Sequence, residues 1–284
     1  MSESMFKDFF ARHSLKPKEK SEGGAESADY KGVSEKGVDL AKERSKDLLT
    51  FIDQAEPGSV IFLGGSSEAI RTKSTARVYG DEIKKLVADE GRNDVIVVTE
   101  IDLPQNSDSQ TEKAEAISKL INDNADKKIF VDLPLFLKEF GMNPWTDGKG
   151  GYSEFTKTLL RMGGDNESES VKAWFRSGGK VGNLTGPKPE EVAKNHLRGL
   201  ERLREFAVKY VKDRPIGVGA VGHSWNMDAL AVYLANNGVV DEAGFEKVGS
   251  KMIGESEFGM VELTEDGKAK LVYRGNEYEI NLDK

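Results

Sequence analysis

Short apolar runs alternate along this chain with stretches of helical period, and that alternation constrains the fold more than any other feature. Residues 60–63 (Val-Ile-Phe-Leu) form a continuous apolar run with Pro57-Gly58 before it and Gly64-Gly65 after it. Residues 95–98, 129–131 and 216–221 repeat the pattern. Uninterrupted apolar runs of this length, bounded by turn residues, are what strands buried on both faces require. Between them, Val38, Ala41, Leu48, Leu49 and Ile52 recur at helical spacing behind Ser34, which is placed to cap a helix with Glu35 in its first turn. Ile70, Ala76, Ile83 and Val87 mark a second helix, with Ser66 or Ser67 available to cap it. Residues 113–120 read as a third, and residues 189–212 as a long one opening on Pro189. A helix over 227–234 follows the run at 216–221. The order predicts an α/β fold with a mainly parallel sheet and helices on both faces.

The ends differ from the middle. Residues 6–11 read as a first strand, interrupted by Lys7 and Asp8. Residues 260–263 and 269–273, joined across Asp266-Gly267, read as a C-terminal β-hairpin, with a last strand near 278–280. From 104 to 189 the pattern is less regular, with loop signals at 143–151, 163–168 and 177–189. This region reads as a mostly helical cap or lid inserted into a single domain spanning 1–284.

Composition removes several chemistries. The chain of 284 residues has no cysteine, so disulfides, thiolate metal sites and a cysteine nucleophile are excluded. Its three histidines are His13, His196 and His223, nearly all of which a multi-histidine metal centre would need, so a metal centre is expected to be carboxylate-built or absent. A net charge of −8 argues against nucleic acid as a partner. No run is long and apolar enough to span a membrane, and residues 1–6 are too polar to open a signal peptide, so a cytoplasmic protein is expected.

In a parallel sheet, ligands bind at the carboxyl ends of the strands. There the chain delivers Arg12 and His13 after the first run, Ser66 and Arg71 after the second, Glu100 after the third and His223 after the last. Histidine can carry a phosphoryl group, and the arginine fork fits phosphate oxygens. Two histidines, two arginines, a serine and a carboxylate from four segments thus converge on one edge.

The ensemble resembles the histidine phosphatase superfamily, which includes the cofactor-dependent phosphoglycerate mutases. It rests on Arg12-His13; Val33-Ser34-Glu35-Lys36-Gly37; Ser67-Glu68-Ala69-Ile70-Arg71 with Thr75-Ala76; Glu100; and Gly222-His223-Ser224. The resemblance implies a phosphatase that hydrolyses phosphomonoesters through a phosphohistidine on His13. Arg12, Arg71 and His223 would hold the phosphoryl oxygens, with Ser14 and Ser224 as further contacts. Glu100 would protonate the leaving oxygen, as in the branch whose acid lies between the second arginine and the second histidine; Asp102 and Asp132 are alternatives. No cofactor or metal is implied, and the partner would be a phosphorylated small molecule or phosphoprotein.

Two departures stand out. Ser14 occupies a position that is usually glycine, and Leu15-Lys16-Pro17 replaces the residues of the mutases, which favours phosphatase over mutase chemistry. A non-catalytic relative that binds a phosphorylated ligand or partner is the main alternative. Gly222-His223-Ser224-Trp225-Asn226 also resembles the elbow of serine hydrolases, but no histidine follows it to serve Ser224. His196, on a helix margin, reads as structural. Lys16, Lys18 and Lys20 read as a solvated loop, and Asp165, Glu167 and Glu169 as an exposed acidic turn. Trp145 and Trp174 either line a cleft or pack under the cap.

Overall fold

The structure, a computed structural model, describes residues 4–17, 24–104, 110–142, 145–149, 151–164, 166–211, 213–264 and 268–280. Lys18, Lys20, Asp165 and the turn residues Asp266-Gly267 lie outside them.

The strands of the main sheet are β1 (Ser4–Arg12), β2 (Val60–Ser66), β3 (Val95–Val98), β4 (Lys128–Phe136), β7 (Ile216–Gly222), β8 (Phe258–Thr264), β9 (Ala269–Tyr273) and β10 (Asn276–Ile280). The small strands β5 (Lys180–Val181) and β6 (Leu184–Thr185) pair with each other alone. The main sheet runs β10-β9-β8-β1-β7-β2-β4-β3. From β1 to β3 every pairing is parallel, and β8, β9 and β10 extend the sheet antiparallel beyond β1. The expected parallel core and C-terminal hairpin are both present.

Helices α1 (Glu35–Asp53) and α2 (Ile70–Asp89) cover one face, and α3 (Gln110–Asp123), α6 (Pro189–Tyr210) and α7 (Ser224–Ala235) the other. Strand alternation feeds both cores: Phe9 and Ala11 pack with Ile61, Leu63 and the α1–α2 side, whereas Phe10 packs with Val60, Phe62 and the α6–α7 side. Ser34 caps α1 by accepting from the Gly37 N–H at 3.0 Å. Neither serine proposed to cap α2 does so; its N-cap is Ala69, with no side-chain cap bond. Ser66 instead donates to the Leu135 carbonyl, and Ser67 faces His223.

The stretch from 104 to 189 divides. Its first part, α3 and β4, belongs to the sheet and its covering layer, and β4 is inserted between β2 and β3. The rest forms α4 (Glu154–Gly163), α5 (Glu167–Ser177) and the β5–β6 pair. Its Trp145, Phe155, Leu159 and Trp174 join the core on the α6–α7 side. A short α8 (Glu242–Lys247) follows α7. Among the described residues no helix is long and apolar enough to cross a membrane.

Candidate active site

Strand register brings the two ends of the chain together. Arg12, the last residue of β1, lies opposite Gly222, the last residue of β7. The next residue of each strand is a histidine, and the His13 N–H donates to the Gly222 carbonyl at 3.0 Å. The imidazoles of His13 and His223 therefore emerge side by side, with ring centroids 5.2 Å apart and planes at 68°. Both are buried.

Hydrogen bonds fix what each ring nitrogen does. His13 Nδ1 lies 2.7 Å from the Ser14 carbonyl oxygen, which can only accept. Nδ1 thus carries the proton and Nε2 keeps a free lone pair. At His223, Arg71 Nη2 lies 3.4 Å from Nδ1 and can only donate, so the neutral ring carries its proton on Nε2, 2.8 Å from Ser67 Oγ. Ser67 Oγ also accepts from the Ala69 N–H and lies 3.1 Å from Thr72 Oγ1, which donates to the Ala69 carbonyl. A buried polar chain thus sets the angle of the second imidazole.

Both histidines hold protons weakly. Burial is the main cause of His13's depression well below the usual histidine value, reinforced by Arg71, Arg12 and Lys16 against the opposing bond to Ser14. His223 is lowered by burial, then by His13, Arg71, Lys16 and Arg12. Arg71 is itself shifted downward, chiefly by burial, and its Nε has no hydrogen-bond partner among the described residues. Burial penalises charge of either sign; it is the cationic Arg12, Arg71 and Lys16 lining the space that suit it to an anion.

Arg12, His13, Arg71, His223 and Ser224 line one cavity, with about 550 Å³ of empty volume partly open to solvent. Lys16 lines it too: exposed as expected, it stands at the cavity's open side. Arg12 is more constrained than expected: Nη1 donates to the Ile253 carbonyl and Nη2 to Glu255 Oε1, each at 2.7 Å, while Glu167 Oε2 lies 3.6 Å from Nη2.

Ser14 is turned away from the cavity. Its hydroxyl donates to the Gly37 carbonyl at 2.6 Å and its N–H to Thr75 Oγ1 at 3.0 Å, tying the β1 end to α1 and α2. Its backbone is not left-handed, so a side chain here costs no strain. The expected phosphate contact from Ser14 is replaced by this structural one.

Glu100 does not line the cavity either. It follows β3, which β4 separates from β2, so it sits at the sheet's edge, exposed, with Lys73 Nζ 3.9 Å away. Asp102 pairs with Lys84 and accepts from the Thr99 N–H. Asp132 is buried in the core, its acidity weakened to about pKa 8 by burial, packed against Gly80 of α2 where a Cβ would collide with its carboxylate. The carboxylate that lines the cavity among the described residues is Glu167, from the acidic run read as an exposed turn. It opens α5, whose N-cap Asn166 accepts from the Ser168 N–H.

His196 is structural as expected. It is fully buried, 4.6 Å from the Phe140 ring and 6.3 Å from Phe10, and burial pushes it down to about 3. Trp145 both packs and lines: its ring lies 4.6 Å from Trp174 and 5.0 Å from Trp225, and its N–H donates to Asn226 Oδ1 at 2.9 Å. Trp174 is fully buried.

No family model matches the chain, and no curated protein matches it significantly. Similar solved structures include one described as mycobacterial hydrolase 1, 14% identical, covering 95% of this chain and 98% of that one, with a TM-score of 0.48. Another is a mycobacterial glucosyl-3-phosphoglycerate phosphatase in complex with VO3, 14% identical, covering 95% of this chain and 100% of its own, at 0.47. The same phosphatase with inorganic phosphate is 15% identical, covering 90% of this chain and 89% of its own, at 0.42.

Proposed function

We propose that this protein is a phosphomonoesterase of the histidine phosphatase type, with His13 as the nucleophile. The observation that carries the reading is the tautomer of His13: its Nδ1 proton is held by the Ser14 carbonyl, which leaves the Nε2 lone pair for attack. Depressed basicity keeps that lone pair free near neutral pH.

In the first half-reaction Nε2 bonds to phosphorus as the ester oxygen leaves. The equatorial oxygens gather negative charge in that transition state, and Arg71 and Lys16 supply positive groups around it, with the neutral His223 holding Arg71 through Nδ1. Arg12, held by Glu255 and the Ile253 carbonyl, contributes a guanidinium already locked in place. The Ser14 carbonyl also stabilises the charge that His13 acquires as a phosphohistidine. Water then attacks phosphorus, and His13 departs with the electron pair of the P–N bond.

The experiment is turnover of p-nitrophenyl phosphate by the purified protein and two variants. His13→Ala should abolish it, and Arg71→Ala should lower kcat/KM by about 100-fold or more. Unchanged turnover in His13→Ala would refute the reading. Tight binding of phosphate without turnover in wild type would favour the non-catalytic alternative.

A further inference from the structure

The cavity has a second kind of lining. Met142, Tyr152, Leu160 and Trp225 present apolar surface to the space that the two histidines and Arg71 share. This wall is rigid where it counts: Trp225 stacks at 5.8 Å on the buried Trp174 and meets Trp145 edge-on at 5.0 Å, while Trp145 is bonded to Asn226 of α7. Phosphate oxygens gain nothing from such a surface, whereas the body of an apolar ester does.

At the open rim of this wall stands a carboxylate, Glu167, 59% exposed, whose own protein partner is already engaged. Arg12 Nη2 donates to Glu255 at 2.7 Å, and Glu167 stands off at 3.6 Å. Two carboxylates thus share one guanidinium nitrogen, and the more distant of them faces the cavity.

Resting on the phosphatase reading, we infer that Met142, Tyr152, Leu160 and Trp225 build a leaving-group subsite for phosphomonoesters of apolar, ring-bearing alcohols, and that Glu167 protonates the departing oxygen. As the His13 Nε2–P bond forms and the P–O ester bond breaks, the Glu167 carboxyl proton passes to the ester oxygen, releasing a neutral alcohol. In the second step the carboxylate takes a proton from the attacking water. The hydroxyl bonds to phosphorus, the P–N electron pair returns to His13, and Glu167 is restored to its acid form. General acid assistance of this kind matters most when the leaving alkoxide is basic.

Two comparisons test the subsite. The first sets benzyl phosphate against glycerol phosphate, whose leaving oxygens are both alkoxides, so that the contrast reads the apolar wall. Wild type should favour benzyl phosphate in kcat/KM by about 10-fold or more, and Leu160→Ala should shrink that preference. Equal or reversed preference would overturn the apolar subsite. The second compares benzyl with p-nitrophenyl phosphate in Glu167→Gln: the rate ratio of benzyl to p-nitrophenyl should fall by about 10-fold or more. An unchanged ratio would overturn Glu167 as the acid. Failure of the underlying reading looks different, since wild type would then turn over none of the three esters.

Discussion

The His13 backbone N–H donates to the Gly222 carbonyl at 3.0 Å, so the residue after β1 is stitched to the residue before His223. Two imidazoles encoded far apart are neighbours because parallel pairing of β1 with β7 runs in register up to Arg12 and Gly222. The separation of their rings is thus a property of the sheet and not of a flexible loop.

Ser67 should prove a positioning residue. It accepts from His223 Nε2 and holds the ring so that Nδ1 meets Arg71. Ser67→Ala removes that partner, and loss of a hydrogen bond worth about 1 kcal/mol corresponds to a fall of roughly 5–10-fold in kcat/KM. Steady-state kinetics check this, with Ser67→Thr, which keeps a hydroxyl, recovering most of the rate.

The histidines should not titrate where histidines usually do. All three are depressed by burial, and His13 and His223 also by Arg71. Histidine Cε1–H resonances followed by NMR should therefore show no midpoint near 6.5 in the folded protein. Added inorganic phosphate should raise the midpoints of His13 and His223, because a neighbouring anion favours the imidazolium. His196, caged by Phe10 and Phe140, should not respond.

His196 also sets a pH dependence of stability. In the native state it takes up no proton until about 3, whereas the unfolded chain binds one below about 6.5. The unfolded state holds more protons in that window, so stability falls as pH drops through it. Replacing His196 by Leu should remove this term. Between pH 8 and pH 5, denaturant unfolding of His196→Leu should lose about 2 kcal/mol less than wild type.

Much of this architecture is legible in the sequence because buried parallel strands cannot hide. Residues 60–63 and 216–221 must be apolar on both faces, and their glycine-flanked ends mark where a site belongs. Arg12, His13 and His223 are legible for the same reason, since each directly follows or ends such a run. Strand order is different, because nothing local states that β4 slips between β2 and β3. That insertion carries Glu100 to the sheet edge. Ser14 reads as a phosphate ligand because it follows the proposed nucleophile, yet its hydroxyl is consumed by the Gly37 carbonyl. Lys16 and Glu167 are exposed, as surface charges should be; that they also line the cavity is not legible, because the wall is assembled by tertiary packing of α4, α5 and the tryptophan cluster.

Rapid acid-free quenching of the protein with a ³²P-labelled phosphomonoester measures the intermediate itself. Label should appear on the protein, be released by acid and survive base, map to the peptide containing His13, and be absent from His13→Ala. Label on Ser224, or turnover with no label on His13 at any quench time, would contradict attack by this imidazole.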